Sequence, residues 1–242
     1  MPEVSEPGGS TIDASSLPPI DVAWQSLSGP LAAFAHRRGG AVVLDSEVGI
    51  FGALADQQDP AAWRSLADLL GPGGTVGLFP LDVPAPPGWA ETFRLAGVQM
   101  VGDGVVGTRR SDVLDLGADD VDDVLELVAR TRPGPFARRT IELGGYVGLR
   151  DEGRLIALSG RRLATDRHVE ISAVCVDPDR RRGGLARLLV EAVVAGIVDE
   201  GRIPMLHAAA SNTNAIALYE AMGFTISRRF DFVGVQAPPA DT

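Results

Sequence analysis

Residues 168–224 constrain the chain more than any other part of it. They read HVEISAVCVDPDRRRGGLARLLVEAVVAGIVDEGRIPMLHAAASNTNAIALYEAMGF. An apolar strand runs into a basic, glycine-rich turn. An amphipathic helix, a short second strand and a helix carrying a tyrosine follow without a gap. Leu185, Leu188, Leu189, Ala192, Val193 and Ile197 recur at the spacing of a helix with one buried face, which starts that helix near Gly184. The first amide hydrogens of a helix have no partner inside it, and the helix dipole adds partial positive charge there. Gly183 and Gly184 let a ligand approach the backbone closely, and Arg180, Arg181 and Arg182 add full charge. The sum is an anion cradle suited to a pyrophosphate.

Three nucleotide-site readings compete for that turn. A Walker A loop needs Gly-x-x-x-x-Gly-Lys-Ser/Thr, and the chain has no lysine. A Rossmann fingerprint needs three spaced glycines and a downstream acid, and the spacing fails. The third reading is acyl-coenzyme A binding. Arg181-Arg182-Gly183-Gly184-Leu185-Ala186 resembles the Arg/Gln-x-x-Gly-x-Gly/Ala turn of the GNAT superfamily of N-acetyltransferases. Residues 212–224, from Asn212 to Phe224, resemble that family's later motif Asn-x-x-Ala-x-x-Leu-Tyr-x-x-x-Gly-Phe. Two motifs in the right order are more specific than either alone, and the resemblance runs from about Ser111 to Val235. It is closest to the subgroup with Glu-Ile-Ser-Ala-Val-Cys in the strand and Pro-Gly-Pro-Phe (133–136) before it.

The resemblance implies a mixed, mostly antiparallel α/β (α+β) sheet of GNAT type, flanked by helices. It implies acetyl transfer from acetyl-CoA, a co-substrate, to a primary amine by direct attack in a ternary complex. In the family a bulge splays the strand matching 168–176 from the strand near 205–210, and the pantetheine arm lies in the gap. The backbone of Val174, Cys175 and Val176 would hold that arm, and Arg181, Arg182, Gly183, Gly184, Leu185 and Ala186 the pyrophosphate. Tyr219 would be the general acid that protonates the leaving thiolate; its alternative is a core aromatic beside Leu218. Glu170 would be the general base; its alternative is a strand-face partner of Arg161 or Arg162. Asn212 either contacts the cofactor or caps the following helix, as Asn214 also can. His207 either faces the acceptor pocket or is a core residue. Cys175, the single cysteine, is read as a small buried strand residue and not as a nucleophile. No metal site is expected, because His36, His168 and His207 are scattered.

Composition narrows the classes. One cysteine fits a reducing cytoplasm, and the N-terminal segment has neither the basic start nor the apolar core of a signal peptide. No stretch is apolar enough to span a membrane. The formal charge of −10 argues against general nucleic-acid binding. The partner expected is a small-molecule or peptide amine, with its identity and the oligomeric state left open. Two other classes stay in play: a non-catalytic acyl-CoA sensor, and an interaction module that retains the fold.

Along the chain, residues 1–19 read as a flexible tail and 237–242 as a loose one. Residues 20–107 read as a smaller N-terminal α/β domain, by resemblance a degenerate acetyltransferase shape, and 111–236 as the catalytic domain. Within the first, 31–38, 61–70 and 90–95 read as helices, and 41–44, 51–53, 75–79 and 99–101 as strands. This unit either packs on the catalytic half or supplies a wall of the acceptor pocket, with Trp24, Trp63 and Trp89 the residues at issue. In the second, 113–116 reads as a strand and Asp119, Asp120, Asp122 and Asp123 as the acidic opening of a helix. A loop at 131–136 borders the acceptor site in the family, and Arg138, Arg139, Thr140 and Glu142 follow it as candidate acceptor contacts. Residues 146–150 and 155–160 read as a hairpin, and 225–227 and 230–235 as the final strands.

Overall fold

The computed structural model describes residues 17–19 and 21–240. Most of the expected N-terminal tail, and Asp241 and Thr242, lie outside them. The elements in chain order are α1 (Val22–Ser28), β1 (Ala35–Arg38), β2 (Ala41–Leu44), β3 (Phe51–Leu54), α2 (Pro60–Leu70), β4 (Thr75–Leu78), β5 (Ala90–Val101), β6 (Leu114–Leu116), α3 (Val121–Thr131), β7 (Tyr146–Asp151), β8 (Arg154–Ala164), β9 (His168–Val176), α4 (Leu185–Asp199), β10 (Ile203–Ala209), α5 (Thr213–Glu220) and β11 (Thr225–Gln236).

The strands form one 11-stranded sheet in the order β1-β2-β3-β4-β11-β5-β10-β9-β8-β7-β6. All pairs are antiparallel except β3 with β4 and β9 with β10. This is the mixed, mostly antiparallel α/β sheet that the sequence led us to expect. One strand sets the architecture. β5 comes from residues read as N-terminal, yet it lies between β10 and β11, paired to β10 over Gly97–Val101 and to β11 along its length. The interval 107–111 thus separates strands that share a sheet.

Helices follow local signals where those are strong. α2 opens with Asp59, whose carboxylate accepts the Ala61 amide at 2.8 Å, and with Pro60 in its first turn. Its buried face is Ala62, Trp63 and Leu66, and Gly71 ends it at φ +72°. α3 carries Asp122 and Asp123 in its first turn, and Arg150 bridges Asp120 and Asp123 at 2.7 and 2.6 Å. α4 buries Leu189, Val190, Val193, Val194 and Ile197 against β8 and β9. Leu185, Leu188 and Ala192 of the expected stripe are only partly buried, because the sheet turns the helix toward Val190 and Val194.

Four local expectations are corrected. The helix read over 31–38 is one 3-10 turn, Ala32–Phe34, followed by β1, whose pairing with β2 outweighs the alanine content. The helix read over 90–95 is the outer half of β5, drawn into extension by β11. The two final strands are one, β11, interrupted by an irregularity between Ile226 and Arg228 that leaves Ser227 out of register. Ala237 is not loose: its amide donates to Gly74 O at 2.8 Å, and Gly73 N donates to Pro238 O at 3.1 Å. α1 had no counterpart in the sequence reading.

Candidate functional site

The glycine-rich turn before α4 forms as its residues dictate. Arg182 and Gly184 take left-handed backbone conformations, φ +67° and +76°. Gly184 is the N-cap of α4, and no side chain caps the helix there. The first-turn amides of a 15-residue helix therefore open outward beside exposed Arg181, Arg182, Gly183 and Gly184, with Leu185 and Ala186 half-buried behind them. Arg180 pairs with Asp151, and Arg181 Nε donates to Val176 O at 3.4 Å.

The next feature is a gap between β9 and β10. They pair in parallel from His168↔Ile203 to Ile171↔Leu206. Two partners pull them apart. β10 stays on β5 as far as Ala209↔Gly97, and β9 stays on β8. Between Gly160↔Ser172 and Leu158↔Cys175, β9 carries an extra residue, and Ala173 sits at φ +54°. That is a β-bulge, which bends its strand locally. The cavity of about 260 Å³ that opens there has Ser172, Ala173 and Val174 on one side and Ala208 and Ala209 on the other. Cys175 packs on the opposite face, toward α3, where burial pushes its thiol up.

α5 borders the gap. Asn212 Oδ1 accepts the Ala215 amide at 3.3 Å, so its capping role is realised, and the same residue lines the cavity. Tyr219, two turns further on, faces the cavity from a buried position, and burial pushes its phenol up to about 12. It remains protonated across the neutral range.

At the floor of the cavity lies an ion-pair network. Glu170 is fully buried. Arg162 grips its carboxylate with both Nε (2.9 Å) and Nη2, Leu163 N donates to it at 3.2 Å, and His207 Nδ1 lies 2.7 Å from Oε1. Burial alone would raise this carboxyl; the Arg162 charge and the hydrogen bonds from Arg162 and His207 outweigh burial and hold it below the usual carboxylate range. Of the two readings of Glu170, the geometry favours the partner of Arg162, since a carboxylate held that low is a weak proton acceptor. On its other side His207 Nε2 is 3.1 Å from Gln99 Nε2, and Ser227 Oγ donates to Gln99 Oε1 at 3.1 Å. His207 lines the cavity; Glu170 lies behind it.

The far end of the cavity is aromatic and comes largely from the N-terminal strands and the segments after them: Ile50, Phe51, Phe79, Phe93 and Leu95, with Phe232 of β11. Sequence reading missed all of these. The only local signal was the alternation of Phe230 and Phe232 along β11. The three tryptophans sit elsewhere: Trp63 packs edge-on against Trp89 at 5.0 Å, and Trp24 carries the Arg37 guanidinium on its ring. Pro133, Gly134 and Pro135 do border the cavity. Arg138, Arg139, Thr140 and Glu142 do not line it; Arg138 pairs with Asp122, Arg139 with Asp45 and Glu142, and Thr140 Oγ1 donates to Val48 O at 2.6 Å. Among the described residues no three His, Cys, Asp or Glu side chains cluster as metal ligands would, and no helix is long and apolar enough to cross a membrane.

The family model FR47-like protein matches residues 146–233. The ribosomal protein bS18-alanine N-acetyltransferase of Salmonella typhimurium is 43% identical over 61 residues, 24% of this chain and 41% of the relative. The Escherichia coli enzyme of that name is 35% identical over 86 residues, 34% of this chain and 57% of the relative. The chain thus spans about half the length of the curated relatives it matches. A crystal structure from Novosphingobium aromaticivorans, described as a GNAT-family acetyltransferase, is 34% identical with TM-score 0.83, covering 92% of this chain and 98% of that one.

Proposed function

Because the chain belongs to the GNAT family, we propose that it transfers the acetyl group of acetyl-CoA to a primary amine by direct attack in a ternary complex. The observation that carries this reading is the β9 bulge, which opens a gap bordered by Asn212 and Tyr219. Acetyl-CoA would lay its pyrophosphate on the amides of Leu185 and Ala186 beside Arg181 and Arg182. Its pantetheine arm would follow the backbone of Val174, Cys175 and Val176, with Asn212 at the border.

The amine nitrogen attacks the thioester carbonyl, a C–N bond forms, and the carbonyl oxygen becomes an oxyanion. Collapse breaks the C–S bond. Tyr219, protonated at neutral pH, gives its proton to the departing thiolate. The amine must lose a proton, and His207 is the group on the cavity wall able to take it. Glu170 stays ionised behind Nδ1, so it fixes the tautomer and stabilises the imidazolium that forms. In this scheme Glu170 serves the base rather than being it. Proton uptake from the amine at Nε2 requires the Gln99 amide, 3.1 Å from that nitrogen, to swing off the ring.

The test is a calorimetric titration with acetyl-CoA, with free adenosine as control, followed by thiol release on adding amines. Saturable binding and amine-dependent release are expected, and His207→Gln is expected to lower turnover by ~100-fold with acetyl-CoA affinity unchanged. Binding without release on any amine would favour an acyl-CoA sensor, and no binding by folded protein an interaction module.

A further inference from the structure

Resting on the acyl-transfer reading, we propose that the acceptor is a primary amine carried on an apolar, ring-bearing body with no second charge, an arylalkylamine by chemical class, and that Phe79, Phe93 and Phe232 select it. The cavity has two chemically different ends. Near the β9 bulge it offers backbone, Asn212 and Tyr219. Beyond His207 it offers aromatic rings. Phe79 is the centre of that cluster, 5.1 Å from Phe51, 5.1 Å from Phe232 and 5.3 Å from the His207 ring. A ring entering among them makes edge-to-face contacts and loses apolar surface to water.

Charge excludes the rival acceptors. No Asp, Glu or Lys lines the cavity among the described residues. A polyamine would bring further cations with no carboxylate to meet them. An amino acid would bring a carboxylate whose one cationic candidate is Arg162. That guanidinium already holds Glu170 through Nε and Nη2 and stacks 4.5 Å over Phe51. Burying an unpaired charge is costly, so both classes are disfavoured. The mouth supplies an independent observation: Phe93 and Leu95 are 44% and 43% exposed, large apolar side chains facing water where the cavity opens. A ring-bearing acceptor would cover them.

The experiment compares 2-phenylethylamine, spermidine, glycine and an alanine-terminated peptide as acceptors with acetyl-CoA, for the wild type and for Phe93→Glu. Phe93 is at the rim, so the variant keeps the fold, as circular dichroism would check. For the wild type, kcat/KM for 2-phenylethylamine should exceed the others by ~10-fold or more. Phe93→Glu should remove ~10-fold of that advantage while acetyl-CoA affinity stays unchanged. A preference for spermidine, glycine or the peptide overturns the inference and leaves acyl transfer intact. Consumption of phenylacetyl-CoA in preference to acetyl-CoA, with 2-phenylethylamine inert, also overturns it, because the rings would then house the acyl group. If no amine turns over, the acyl-transfer reading fails, and titrating 2-phenylethylamine into CoA-saturated protein decides the pocket. Saturable binding that Phe93→Glu abolishes supports it, and no binding overturns it.

Discussion

The two ends of the cavity were built in different ways. The end toward α5 comes from one continuous run, residues 168–224, and presents strand backbone, Asn212 and one phenol. The aromatic end is gathered from β3, the residues around β4, β5 and β11, which lie far apart in sequence and meet only across the sheet. A site that grips a constant ligand by its phosphates needs only local geometry. A site that selects among acceptors can be rebuilt by changing side chains on strands that the first site does not use. β5 joins the two: it holds β10 away from β9 and carries Phe93 and Leu95 to the mouth.

The Glu170 network lies under both ends, so its loss should erase the difference between them. Glu170→Ala would leave Arg162 buried without its partner and is expected to cost about 3–5 kcal/mol, read by urea denaturation. The same carboxyl sets a pH dependence. Its folded pKa is depressed, so its stabilisation is fully present above the unfolded value of about 4.3 and drains away as pH falls from there toward the folded value. Wild-type stability should decline below that pH, and Glu170→Gln should decline less steeply.

Tyr219→Phe would sharpen the comparison at the cofactor end. Turnover is expected to fall ~100-fold with acetyl-CoA affinity unchanged by calorimetry; unchanged turnover would remove Tyr219 as the acid. Gly184→Val should do the reverse. A β-branched residue resists φ +76°, although its Cβ would meet no atom within 4 Å. Acetyl-CoA affinity should drop by roughly 10- to 100-fold, the worth of one or two charge-assisted hydrogen bonds, while the fold survives. At the small end, Arg94 on β5 pairs with Glu91 and Asp231 in the open, 45% exposed. Arg94→Ala should leave the denaturation midpoint unchanged within error, since such pairs contribute little.

The order of elements from β7 to α5 was legible because each carries its own periodicity and its own stop: Gly153 in the hairpin turn, the glycines before α4, Asn212 before α5. Residues 90–95 were not, because AETFRL suits helix and strand alike and only β11 decides between them. Glu170 carried two readings for a similar reason. A strand glutamate declares neither its burial nor its partner, and Arg162 and His207 reach it from two different strands.

What the sequence determined by itself was the glycine-rich turn before α4, the tyrosine helix and the strand between them, since short-range hydrogen bonding and helix periodicity act within a few residues. The tertiary structure alone decided that β5 inserts between β10 and β11, that a bulge parts β9 from β10, and that His207 stands between a buried carboxylate and an aromatic wall. Those outcomes depend on which strands pair, a choice made by burial across the whole sheet and written in no single segment.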